Sequence, residues 1–159
     1  MPNYFPLLAG KFKGLVKLWL HQSKTEEVIE FTRSGTLASS AALAGISLLG
    51  DAEIPSGFTA YVRDWMVDVG GATAWTDSTA TKVGLYDTNG SPVTFFEVAK
   101  AGLTANTTVV PGMSNVTNGA GYRANTGATA GKGLVFKGDA SFAAGSTITV
   151  VIDGFLRKS

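Results

Sequence analysis

The chain of 159 residues contains no cysteine and a single histidine, His21. The first absence removes disulfide stapling, thiolate nucleophiles and zinc–thiolate sites together. The second leaves any Ser-His-Asp triad or histidine-rich metal site dependent on one residue near the N-terminus, flanked by the commonplace Gln22 and Ser23. Charge is also scarce: 16% of residues are charged, against about 25% in an average globular domain. The surface must therefore be covered by Ser, Thr, Asn, Gly and apolar groups. Such a surface can be buried in a partner at low cost, because desolvating charge is the expensive step. No apolar run approaches the ~18 residues that span a bilayer. The apolar stretch near the N-terminus is cut by Lys11, Lys13 and Lys17 and does not read as a signal peptide.

What is present is β punctuation. A length of 159 residues suits one domain. Short apolar or alternating runs are separated by Gly, Pro and Asn from Ile54 to the C-terminus, which predicts an all-β protein, a β-sandwich or jelly roll with an N-terminal extension. The spacing predicts strands over Phe58–Val69, Thr81–Tyr86, Val93–Val98, Thr107–Val110, Leu134–Lys137 and Ser146–Leu156. The turn Asp87-Thr-Asn-Gly90 joins the second and third of these, with Asn89-Gly90 expected to supply positive φ. In the last strand Ile148, Val150 and Ile152 alternate with Thr147, Thr149 and Val151, so one face is expected in the core and the other half-buried. Residues 115–129 read as a long polar loop with one embedded strand.

Three regions are expected: an arm over 1–35, a small-residue-rich connector or swapped strand over 36–53, and a β-sandwich over 54–159. Within the arm, Glu26–Thr32 alternates as a strand, and in the connector Ile46–Leu49 reads as another. The segment Gly10–Gln22 is ambiguous. Phe12, Leu15, Val16, Trp19 and Leu20 fit an amphipathic helix, whereas Phe12, Val16, Leu18 and Leu20 alternate with Lys11, Lys13 and Lys17 as an edge strand does. Net charge is +1, too little for an electrostatic case for nucleic acid. Its distribution is uneven: residues 1–25 carry Lys11, Lys13, Lys17 and Lys24 without an acid, while residues 26–100 hold ten acids against four bases. A basic arm on an acidic body suits contact with a neighbouring acidic surface, including a second copy.

Candidate chemistry fails on its details. Gly127-Ala-Thr-Ala-Gly-Lys-Gly133 lacks the spacing, the hydroxyl and the following helix of a phosphate loop, and reads as a turn. Asp64 and Asp68 share a strand face but lie about 13 Å apart at ~3.3 Å per residue, too far for paired-carboxylate glycoside cleavage. Carboxylate pairs drawn from different strands stay open. Asp87, Asn89 and Ser91 could line a calcium loop, but the same pattern is an ordinary Asx turn. Tyr61, Trp65, Trp75, Tyr86 and Tyr122 could form a sugar-stacking platform, with Tyr61 and Trp65 on one strand face; large aromatics in a sandwich more often fill the core or an interface. No catalytic residue, metal ligand or cofactor is assigned, and the chain is not expected to be an enzyme.

The combination Ile54-Pro-Ser-Gly57, Thr73-Ala-Trp-Thr76, Thr81-Lys-Val-Gly-Leu-Tyr-Asp87, Gly131-Lys-Gly-Leu134 and Ala143-Ala-Gly-Ser-Thr-Ile-Thr-Val150 resembles tailed-bacteriophage virion proteins, in particular the capsid decoration or cement class. The resemblance covers the β region and not residues 1–53, and it rests on turn glycines and Thr-rich strands. It implies a β-sandwich, commonly trimeric, on the outside of an icosahedral head, where it clamps major capsid protein subunits. The implied partners are major capsid protein and further copies of the chain; neither nucleic acid nor a membrane is implied. The implied location is the capsid surface of a virion made in a bacterial cytoplasm. The candidate capsid- or subunit-contact residues are Phe5, Leu7, Leu8, Lys11, Phe12, Lys13, Lys17 and Trp19. The alternative is a receptor- or carbohydrate-binding β module of a phage fibre or spike.

Overall fold

The computed structural model describes residues 28–76, 79–123 and 126–159. These form two antiparallel sheets. Strands β1 (Val28–Leu37), β2 (Ile46–Leu49), β3 (Phe58–Val69), β4 (Lys82–Asp87), β5 (Thr94–Ala99), β6 (Thr107–Val109), β7 (Val116–Asn118), β8 (Leu134–Gly138) and β9 (Ile148–Lys158) follow in chain order. Their spatial orders are β1-β9-β3-β6 and β2-β8-β4-β5-β7. With the three-residue β7 set aside, the pairs are β1 with β9, β2 with β8, β3 with β6 and β4 with β5. That is a long hairpin folded back on itself, the jelly-roll topology. The all-β sandwich expected from the sequence is the fold, with its connectivity now defined.

Residues 28–53, which the sequence separates into the end of an arm and a connector, are part of the sandwich. Strand β1 pairs with β9 over ten residues, from Val28 opposite Arg157 to Leu37 opposite Ile148, and β2 pairs with β8. Both partners lie near the C-terminal end of the chain, so local pattern carries no sign of the pairing.

Each sheet turns one face inward, as period-two alternation requires. Sheet one contributes Phe31, Leu37, Ala60, Val62, Trp65, Val67, Val69, Ile148, Val150, Ile152 and Leu156; sheet two contributes Val83, Leu85, Phe96, Val98, Leu134 and Phe136. The indole of Trp65 stacks on Phe96 with centroids 3.8 Å apart and so joins the two layers. Trp75 meets Phe142 edge-on at 4.8 Å. Strand β9 buries every second residue and half-buries the others, as expected.

The β4–β5 hairpin is present, but its turn differs from expectation. Neither Asn89 nor Gly90 adopts positive φ. The buried Asp87 carboxylate instead accepts backbone N–H groups of Asn89 (3.2 Å), Val93 (3.0 Å) and Thr129 (2.7 Å). This is an Asx turn that also ties the hairpin to the 126–133 segment. Both carboxylate oxygens accept backbone N–H groups, the bonding of an Asx turn. Residues 127–133 form the expected turn, with Gly131 at φ +70.

Candidate functional site

The outer faces of the two sheets differ. On sheet two, Tyr86 lies over Gly84, where an added Cβ would come 2.7 Å from its hydroxyl. Its hydroxyl bonds Glu97 at 2.8 Å, and Glu97 pairs with Lys82 at 2.8 Å. Burial, then Glu97, pushes the Tyr86 phenol pKa well up, so it stays protonated. That face is sealed by its own side chains.

The outer face of sheet one is built from three strands. Strand β9 turns Thr149, Val151, Asp153, Phe155 and Arg157 outward, and β1 sets Val28, Glu30 and Thr32 opposite Arg157, Phe155 and Asp153. Strand β3 sets Tyr61, Asp64, Met66 and Asp68 opposite Phe155, Asp153, Val151 and Thr149. One extra residue, Arg63, bulges between Val62 and Asp64. A single inserted residue exchanges the faces of everything beyond it. Tyr61 is therefore outside and Trp65 inside, and the two do not share a face as the sequence parity suggests.

Tyr61 and Phe155 stack with centroids 5.1 Å apart and planes 7° from parallel. Arginines close the stack at both ends. The Arg157 guanidinium lies 4.5 Å from the Tyr61 centroid and donates to its hydroxyl at 2.8 Å, and Arg63 lies 5.8 Å from the Phe155 centroid. Arg63 also pairs with Asp153 at 2.9 Å and with Glu30 at 2.8 Å. Hydrogen bonds to Asp153 first and Glu30 second raise its pKa further, so it is permanently cationic. Arg123, at φ 48, is set beside β3 by its own amide and donates from Nε to the Arg63 carbonyl at 3.1 Å; its second arm reaches Asp64 at 3.6 Å. These groups surround an open depression of about 490 Å³. A shallower apolar patch adjoins it, formed by Met66, which is 39% exposed, and Val151.

On this face Asp153 shares Arg63 with Glu30, and Asp64 and Asp153 form a cross-strand carboxylate pair. Their side chains are 56% and 40% exposed, and each is engaged by a guanidinium. Among the described residues, no group of three or more His, Asp or Glu side chains could hold a metal ion. No helix among them is long and apolar enough to cross a membrane.

The alternative sugar platform of Tyr61, Trp65, Trp75, Tyr86 and Tyr122 is not assembled, and the favoured placement of large aromatics in the core holds for Trp65 and Trp75. Trp65 and Trp75 are in the core and Tyr86 is buried, which leaves Tyr61 on the surface and Tyr122 half-buried beside Trp65. The candidate contact residues Phe5, Leu7, Leu8, Lys11, Phe12, Lys13, Lys17 and Trp19, together with His21, lie outside the described residues. The residues that do form a surface site, Tyr61, Arg63, Met66, Asp153, Phe155 and Arg157, escape sequence reading as a group. Their only signal is alternation within β9, whose outward positions hold the charges and an aromatic.

No family model matches the sequence, and no curated protein is similar to it. Among solved structures, the chain is similar to one in the capsid asymmetric unit of cyanophage Pam1, at 12% identity over 84% of this chain and 86% of that one, with a TM-score of 0.42. It is similar to one in the capsid of Ralstonia phage GP4, at 15% identity over 80% and 83%, with a TM-score of 0.44. A third likeness is to a chain of Sulfolobus turreted icosahedral virus, at 18% identity over 83% and 30%, with a TM-score of 0.37. Likeness at this level assigns no function.

Proposed function

We propose that this chain is a structural virion protein that binds the outside of a phage capsid and clamps neighbouring major capsid protein subunits, as a decoration or cement protein. The outer face of the four-stranded sheet carries this reading. Its centre holds Tyr61, Phe155, Met66 and Val151, and its rim holds Arg63, Arg123, Arg157, Glu30 and Asp153. Aromatics, Met and Arg are the residue types enriched where proteins meet proteins. The face is open rather than an enclosed cleft, and Arg63, Arg123, Glu30, Asp64 and Asp153 are already paired, which limits the cost of burying them. It is a surface for adhesion, and no reaction is assigned to it. Repetition over a lattice multiplies modest single contacts into firm attachment. The residue resemblance over 54–150 supplies the capsid, the major capsid protein and a homo-oligomer, with the trimer favoured.

The test is co-sedimentation of the purified protein with DNA-free expanded heads of the phage that encodes it. Stoichiometric pelleting is expected, and Met66→Lys should reduce it at least about tenfold by placing an unpaired charge in the contact. Wild-type protein left in the supernatant overturns the capsid reading and directs the search to glycans. A variant that pellets like wild type moves the contact to another face.

A further inference from the structure

The chain contains two Asn-Gly pairs, Asn89-Gly90 and Asn118-Gly119. An asparagine before glycine is open to attack on its side-chain amide by the next backbone nitrogen, because no Cβ hinders the approach. The fold treats the two pairs differently. Asn118 ends β7 opposite Phe96, and the Gly119 amide donates to the Phe95 carbonyl at 2.9 Å. A Cβ at Gly119 would lie 2.1 Å from the Thr94 carbonyl oxygen, so this backbone is held against β5. Attack there requires that part of the sheet to open first. Asn89-Gly90 lies instead in the β4–β5 turn, with Gly90 exposed. The Gly90 amide donates at 2.9 Å to the side-chain oxygen Oδ1 of Asn89 itself, and among the described residues it meets no backbone carbonyl. The Asn89 side chain is held in this pose from its other end, where Nδ2 donates to Thr129 Oγ1 at 3.2 Å and to the Ser91 carbonyl at 3.4 Å. A Cβ built on Gly90 meets nothing within 4 Å, so the turn has room to rearrange.

We infer that Asn89 is a site of spontaneous deamidation in the folded protein and that Asn118 is protected by the sheet. Hydroxide takes the Gly90 amide proton, and the Gly90 nitrogen, already beside the side-chain carbonyl, attacks Asn89 Cγ. A new N–Cγ bond closes a five-membered succinimide while the Cγ–Nδ2 bond breaks. Nδ2 takes a proton from water and leaves as ammonia, which restores the hydroxide. One water then opens the ring. Cleavage of the N–Cγ bond gives aspartate at position 89, and cleavage at the main-chain carbonyl gives isoaspartate, with the chain running through the former side chain. Both products exchange NH₂ for OH and carry one new negative charge. The Nδ2 donor to Thr129 is lost in either case, so one tie between the hairpin and the 126–133 segment goes, while the Asp87 bond to the Thr129 amide stays. Isoaspartate also lengthens the backbone by one methylene inside the turn that Asp87 organises. The inference uses only the geometry of the turn and does not depend on the proposed capsid role.

The test is peptide mapping by mass spectrometry of the full-length folded protein aged in mildly alkaline buffer. Trypsin separates the two sites, because Lys82 and Lys100 bound a peptide in which Asn89 is the only asparagine and no glutamine occurs. A one-dalton gain in that peptide therefore reports Asn89, and enzymatic methylation of isoaspartate identifies the second product. Asn118 is followed by fragmentation of the next peptide, which ends at Arg123. Asn89 is expected to convert at least about tenfold faster than Asn118, because only Asn118 must wait for local opening. In guanidinium chloride, where the sheet is gone, the two should convert at comparable rates. Equal rates in the folded chain overturn the inference. So does conversion of both sites in the unfolded chain with neither in the folded one. Gly90→Ala, whose Cβ meets no neighbour, should keep the fold and slow conversion at Asn89 at least about tenfold by crowding the attacking nitrogen. An unchanged rate in that variant would mean direct hydrolysis by water and would overturn the ring-closing route.

Discussion

Replacing Asp87 by Ala tests the turn that organises one end of the sandwich. The carboxylate is 1% exposed and accepts three backbone N–H groups, from Asn89, Val93 and Thr129, at 2.7–3.2 Å. Each buried polar group left without a partner costs about 1–3 kcal/mol. Water entering the space left by the side chain recovers part of this, so the three together should cost about 3–6 kcal/mol. That is a large share of the roughly 5–15 kcal/mol available to a domain. For a body of this size it corresponds to a fall in Tm of about 10–20 °C. Asp87→Asn keeps an acceptor for Asn89 and Val93 but turns an amide N–H₂ towards the Thr129 amide, so about half the loss is expected. Urea unfolding at neutral pH, with m unchanged, measures both. Exposed Asp64→Ala should stay within about 1 kcal/mol and serves as the control. If Asp87→Ala also stays within about 1 kcal/mol of wild type, the Asx turn does not hold the hairpin, and the reasoning fails.

Two further substitutions separate steric glycines from neutral ones. Gly154→Ala puts a Cβ 2.2 Å from the Tyr61 carbonyl oxygen and 2.7 Å from Phe31 Cζ, so backbone must move and about 3 kcal/mol should be lost. Gly90→Ala meets nothing within 4 Å and needs no positive φ, so thermal unfolding should shift by less than about 0.5 kcal/mol; a larger loss would restore the primed turn. Acid should weaken the fold through Asp51, Glu53 and Asp139, all held below the usual carboxylate range. For Asp51 the causes are Thr88 first and then the Gly133 amide; for Glu53, the Gly50 amide ahead of Arg33. At Asp139 burial pulls upward but is outweighed by bonds from Thr81 and Lys82. A lowered folded-state pKa gives stability that is complete above the unfolded value near 4 and lost as pH falls through the folded one. Asp139→Asn should flatten part of that decline below about pH 4; an unchanged slope would refute the assignment.

The strands were legible wherever a local rule sets them. Phe58–Val69 and Ile46–Leu49 have the bounds expected from pattern, and the alternation of β9 reports its two environments. What could not be read was partnership. Nothing near Glu30 says that its neighbours are Arg63 and Asp153, because those contacts are made by β1 closing against a strand at the far end of the chain. The Arg63 bulge was invisible for a different reason. Bulges are often marked by Gly, but Val62-Arg63-Asp64 carries no such mark, and one silent insertion reversed the placement of Trp65 relative to Tyr61. The favoured placement of the large aromatics in the core holds for Trp65 and Trp75, and what parity misplaced is Trp65 relative to Tyr61, so the exposed aromatic feature is an arginine-capped Tyr–Phe stack instead of a shared Tyr61–Trp65 face.

That stack constrains how the face can bind. Arg157 and Arg63 hold the two rings from opposite ends, and Asp153 and Glu30 hold Arg63, so the groups are positioned before any partner arrives. Prior ordering removes part of the side-chain entropy that an interface otherwise loses, about 0.5–1.5 kcal/mol for each immobilised long side chain. The same pairing makes the face a weak long-range attractor, since Glu30, Asp64 and Asp153 offset Arg63, Arg123 and Arg157 within one patch. Long-range steering therefore contributes little to capture. In the proposed capsid role, attachment rests on the apolar area around Met66 and Val151 and on many copies bound side by side, the regime in which a scarcity of free charge is an advantage.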